Sequence, residues 1–133
     1  MSDTDSNRVL VFNSFPTSNG ISADVVLGQA DFTSNVFGTT NYNFESSSTS
    51  SVSSNGTQIF VADYYNNRVM VWNAWPTGNG VPADRVLGQP NFTSSTSNVT
   101  ATGLNNPNSV SVSSQYLLVT DRGSNRVLIW RTQ

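Results

Sequence analysis

Eight carboxylates, Asp3, Asp5, Asp24, Asp31, Glu45, Asp63, Asp84 and Asp121, are the side chains in this sequence best suited to acid–base work. Two carboxyls about 5–10 Å apart could attack a glycosidic bond. Asp24 and Asp84, however, are equivalent positions of an internal repeat and fall one repeat apart. Asp and Asn oxygens could also hold calcium, but no stretch has the loop spacing of an EF-hand. The 133 residues include no His and no Cys, and all six basic residues are arginines: Arg8, Arg68, Arg85, Arg122, Arg126 and Arg131. That removes imidazole bases, thiolate nucleophiles, Schiff-base lysines, disulfide frameworks and ordinary zinc sites. A net charge of −2 and a pI near 4.6 leave no basic surface for phosphates. The expectation is a non-enzyme with no catalytic residue, cofactor or metal, and without nucleic-acid or membrane partners.

Ser, Thr and Asn make up 52 of the 133 residues, and only 11% are charged. No apolar run approaches the roughly 18 residues that span a bilayer. The start of the chain, Met1–Asp5, is acidic and polar, unlike a signal or transit peptide, and indicates no compartment.

Self-similarity organises the rest. Asn7–Ser34 aligns with Asn67–Ser94 at an offset of 60, with 18 of 28 positions identical. Ser51–Trp72 aligns with Ser109–Trp130 at an offset of 58. An Asp-x-x-x-Asn-Arg unit therefore occurs three times, as Asp3/Asn7/Arg8, Asp63/Asn67/Arg68 and Asp121/Asn125/Arg126. The repeat units run approximately over 3–62 and 63–120, with a partial unit at 121–133. The chain spans almost two periods and has the same phase at both ends.

The segments that must position these residues read as short β-branched and aromatic strands bounded by Gly, Asn, Pro and Asp. Within a unit, strand A is Ser51–Ser54 and Ser109–Ser113. Strand B is Gln58–Ala62 and Tyr116–Thr120. Strand C is Arg8–Phe12, Arg68–Trp72 and Arg126–Trp130, and strand D is Val25–Gly28 and Arg85–Gly88. No window has a helical apolar period, so no helix is expected. Asn55-Gly56 marks a tight A–B hairpin. In the B–C turn the Asp side chain can accept N–H groups, and Asn accepts a left-handed conformation. The D–A connection is long, about twenty residues, polar, with scattered aromatics Phe37, Tyr42 and Phe44. Four antiparallel strands with tight hairpins are the make-up of a propeller blade.

Val61-Ala62-Asp63-Tyr64-Tyr65-Asn66-Asn67-Arg68-Val69-Met70-Val71-Trp72 resembles the NHL repeat, as do Val119–Trp130 and Asp3–Phe12. The Val-Leu-Gly-Gln-x-x-Phe-Thr-Ser stretches, Val26–Ser34 and Val86–Ser94, are similar to those of long-repeat bacterial NHL proteins. The resemblance covers nearly the whole chain and implies all-β propeller blades. NHL propellers serve as protein-binding platforms, RNA-binding surfaces and, in a few cases, enzymes. The lyase branch uses metal-binding histidines and RNA binders a basic face, neither of which this sequence offers. An interaction or scaffold module remains.

Propellers close with 4–8 blades, whereas this chain encodes about two plus one extra strand, nine strands in all. Either it is a fragment or designed piece of a longer propeller, or copies assemble head to tail into a ring. Three chains, six blades, is the expected ring; two or four are alternatives. Arg8–Phe12 and Arg126–Trp130 would compete for one strand-C slot, one being displaced or lying outside as a fifth strand.

The three Asp/Arg units suit a repeated structural part better than one active site. Trp72, Trp130 and Phe12 end strand C and could stack on sugars, though inter-blade packing suits them better. Phe15 and Trp75 lie just beyond, in the C–D loop, and are better placed for exposure. Tyr64, Tyr65, Asn66 and Arg122 occupy B–C turns and, with Trp75, form the candidate binding surface for a protein or glycan ligand. A lectin-like glycan-binding propeller is the alternative function. A cation-dependent lactonase-like or hydrolase-like propeller is the weaker one.

Overall fold

The computed structural model describes residues 1–132. It is all-β: ten strands in three antiparallel sheets, with no closed barrel or propeller ring among the described residues. The first sheet contains β1 (Ser2–Asp3), β2 (Arg8–Val11) and β3 (Val25–Leu27). The second is β4 (Thr49–Ser54), β5 (Ile59–Asp63), β6 (Arg68–Trp72) and β7 (Arg85–Leu87), in chain order. The third is β8 (Pro107–Val112), β9 (Tyr116–Asp121) and β10 (Arg126–Arg131).

The sequence implies nine strands in two units plus a remainder; the chain instead forms three layers. Within one chain the two copies of strand C do not compete. β2 pairs with β3 and β10 pairs with β9, each in its own sheet. The tenth strand, β1, is a two-residue stub of strand B beside β2. Strand A is longer than its Ser/Val alternation suggests, because a bulge at Thr49/Ser51, and again at Pro107/Ser109, carries the pairing back to Asp63 and Asp121. Strand D is only three residues in each copy.

No α-helix forms among the described residues. Single 3₁₀ turns, Thr4–Ser6 and Arg122–Ser124, occupy two of the B–C connections. The Asn that ends each connection is left-handed, with φ of 52° at Asn7, 53° at Asn67 and 52° at Asn125. Asn adopts this conformation at low cost because its short amide bonds locally.

Two apolar seams hold the layers together. Val9, Val11, Val25 and Leu27 of the first sheet pack on Ile59, Val61, Met70 and Trp72 of the second. Phe60, Ala62, Val69 and Val71, on the other face of the second sheet, pack on Val110, Leu117 and Val119 of the third. The central strands β5 and β6 are thus buried on both faces, which explains their unbroken apolar runs. The D–A loop contributes to the first seam. Phe44, the one fully buried aromatic of that loop, lies against Gly28 and tilts 56° to Trp72 with ring centroids 6.2 Å apart. Leu104 fills the same position against Gly88.

Candidate functional site

The B–C turn presents the most elaborate polar arrangement in the chain. In the second layer Arg68 donates through Nε to Asp63 Oδ2 (2.7 Å), Nη1 to the Phe92 carbonyl (2.6 Å) and Nη2 to the Asn43 carbonyl (2.9 Å). Asp63 Oδ1 accepts the Glu45 N–H (3.2 Å), and Oδ2 also accepts the Asn66 amide (2.9 Å). Neither side chain of the pair is exposed. The two charges neutralise each other away from solvent, and both side chains bond backbone from neighbouring loops, so the pair fixes the turn.

The flanking copies repeat the ion pair at 2.7 Å (Asp3/Arg8) and 2.8 Å (Asp121/Arg126), partly open to solvent. The Arg8 guanidinium, hydrogen-bonded to the Asp3 carboxylate, holds that carboxyl below its ordinary range. Two of the three Asn residues do a second job. Asn7 Oδ1 accepts the Ser47 N–H (2.7 Å) and Asn67 Oδ1 accepts the Asn106 N–H (2.8 Å), tying each layer to the next. The Gln of each Val-Leu-Gly-Gln stretch clamps the same turn. Gln29 donates to the Asn7 and Val36 carbonyls, and Gln89 to those of Asn67 and Thr96.

Asp24 and Asp84 cap the two C–D corners, accepting the N–H of Asn13 (2.8 Å) and Asn73 (2.7 Å). Among the described residues no three acidic side chains converge on a point that could hold a metal ion.

Of the candidate surface, Tyr64, Tyr65 and Arg122 come together. The two tyrosine rings meet edge to face at 4.9 Å, and Arg122 Nη1 donates to the Tyr64 hydroxyl across two layers. Tyr65 is more than half exposed. Asn66 does not belong to this surface. It is buried, and its amide reaches Asp63, the Gly38 carbonyl and Thr39 (Oγ1–Oδ1 2.7 Å), which makes it part of the turn. Trp75 is also separate, because β6 runs away from the Tyr64 turn and Trp75 follows its far end. There its indole N–H donates to Asn13 Oδ1 (2.9 Å).

Trp72 is buried and bonds the Val81 carbonyl (2.9 Å), a packing role. Trp130 and Phe12 are half-buried, while Phe15 is 91% exposed. Trp75, Phe12 and Phe15 line an apolar groove of about 540 Å³ along the open side of β2, with Leu10, Val52 and Ile59. The paired aromatics Phe15 and Trp75, beside Pro16 and Pro76, are a partial signal of it in the sequence. No family model matches the chain, and no curated protein matches it.

Proposed function

We propose that this chain is a segment of an NHL-type β-propeller acting as a non-enzymatic interaction or scaffold module, its copies closing head to tail into a ring. Three chains would supply six blades. One observation carries the reading: the outer face of the third layer is the face that the second layer buries. Leu118, Val127 and Ile129 are exposed, Ile129 by 63%, where the aligned Phe60, Val69 and Val71 are buried. At the other end, Leu10 and Phe12 are only half-buried, where the aligned Met70 and Trp72 are fully covered. Contiguous apolar flanks of this kind are association surfaces, and heterologous contacts between them form rings when the rotation closes.

The non-enzymatic part is supported by the fate of the polar groups. Asp24, Asp63, Asp84 and Asp121 are all engaged in holding backbone corners or arginines. The cluster of half-buried Tyr64 with exposed Tyr65 and Arg122 is the surface such a ring would repeat for a protein ligand. A second reading, glycan binding, is favoured by the open ring of Tyr65 beside polar groups. Negative-stain images of the purified chain test the proposal. Annular particles with a central channel support it, and small particles without one refute it. A glycan array then separates the two ligands.

A further inference from the structure

We infer that the joint between neighbouring copies is a shared sheet. In it, β8 and β9 of one copy occupy the groove beside β2 of the next and pair with its β2 and β3, while β10 gives way. This rests on the ring reading and adds which strands make the joint.

The arginine cages carry the argument. Among the described residues only the middle one is whole, with a carboxylate, a carbonyl from the loop before strand A (Asn43) and a carbonyl from the loop after strand D (Phe92). Gly103 is the equivalent of Asn43, since Phe44 and Leu104 follow them and cover matching glycines. Arg8 has Asp3 and the Phe32 carbonyl, the after-D half, with no described residue at the Asn43 position. Arg126 has Asp121 and, through Nη2, the Thr100 and Gly103 carbonyls, both from the loop before strand A, with no described residue at the Phe92 position. Asp121 and Gly103 of one copy with Arg8 and Phe32 of the next assemble one full cage.

The innermost strands agree. Between the second and third layers, the Val110 N–H donates to Ser51 Oγ (3.2 Å) and the Val112 N–H to Ser53 Oγ (3.1 Å). Ser109 and Ser111 align with these serines. With β8 in the groove they meet the Val52 and Ser54 N–H groups of the next copy, both of which line it. The choice of strand C follows from what each is already tied to. β2 has Val9 and Val11 buried in the first seam and Asn7 bonded across to Ser47. β10 has Val127, Ile129 and Asn125 exposed. The stub β1 occupies the place of Thr120–Asp121 and yields to β9.

The chain has no cysteine, so paired substitutions read the joint without background. Val69 pairs with Ala62; the aligned positions in a shared sheet are Thr120 of one copy and Val9 of the next. Within one copy these face Ser2 and Val127. Val9→Cys with Thr120→Cys should therefore give disulfide-linked multimers on a non-reducing gel after mild oxidation. Thr120→Cys with Val127→Cys should stay unlinked within the chain. If the first pair impairs folding by circular dichroism, Val11→Cys with Leu118→Cys reads the next register position. Suppose the unsubstituted chain is oligomeric, yet Thr120→Cys with Val127→Cys is the only pair that closes, and closes inside single chains. The shared sheet is then overturned and the ring stands. A monomeric unsubstituted chain overturns both.

Discussion

Arg68 and Asp63 are joined Nε to Oδ2 at 2.7 Å with neither side chain reaching solvent, whereas the same two residue types at Arg8 and Asp3 keep the 2.7 Å bond with both side chains partly exposed. One chemical pair thus occurs at two depths in one molecule. Asp63→Asn leaves an uncompensated guanidinium in the interior and should lower stability by about 3–5 kcal/mol. Asp3→Asn should cost about 1 kcal/mol or less. Urea titrations with unchanged slope measure both; equal midpoint shifts would show that burial does not set the cost.

Gly28 and Phe44 test the packing of the long loop. Gly28 has φ of +91°, and a Cβ there would clash with the Phe44 ring. Gly28→Ala should destabilise by about 2–5 kcal/mol, through backbone strain and overpacking together. Phe44→Ala should cost about 3–5 kcal/mol through the cavity it leaves. The double variant should be less damaged than the sum, because one change relieves the clash of the other. Strict additivity in thermal melts would contradict the arrangement.

The strands of the repeat were readable because each carries its own bounding signals: Asn67 before β6, Asn55-Gly56 after β4, the Asp24 and Asp84 corners before β3 and β7. The role of the loop was not. Phe44 sits in a polar stretch, and only the three-dimensional position of Gly28, sixteen residues earlier, marks it as core. Asn66 reads as an exposed turn residue for a similar reason. Its burial depends on the Gly38 carbonyl and Thr39, from a different loop. The number of layers was hidden as well, since duplicate copies of strand C carry the same local code whichever sheet they join.

Acid should weaken the fold in part through Asp31. Its carboxylate accepts the hydroxyls and N–H groups of Thr33 and Ser34 and is held down to about 2. A depressed carboxyl stabilises the fold above its ordinary value near 3.8, and that contribution is lost as pH falls toward about 2. Asn91, at the equivalent position, bonds Thr93 and the Ser94 hydroxyl in the same way without a titratable group. Asp31→Asn should therefore leave the melting temperature at pH 7 nearly unchanged and flatten its fall below about pH 4. Parallel melting curves for the two proteins across that range would contradict this.

Leu118 separates the stability of one chain from its assembly. Its side chain on β9 is exposed within the chain, so Leu118→Asp should change the urea midpoint little at concentrations where the chain is single. On the proposed ring β9 lies beside β2 of the next copy and Leu118 joins Val11 in a desolvated seam, where the charge should prevent association. Elution volume across a dilution series checks this; an unaltered oligomer would remove Leu118 from the interface.

The apolar outer flanks of the first and third layers are covered, in the proposed ring, by further copies of the chain. Light scattering coupled to size exclusion, on the unsubstituted chain in dilute buffer, measures this most directly. The ring predicts three times the chain mass of 14.4 kDa, holding over a broad concentration range. A single-chain mass at every concentration would contradict it.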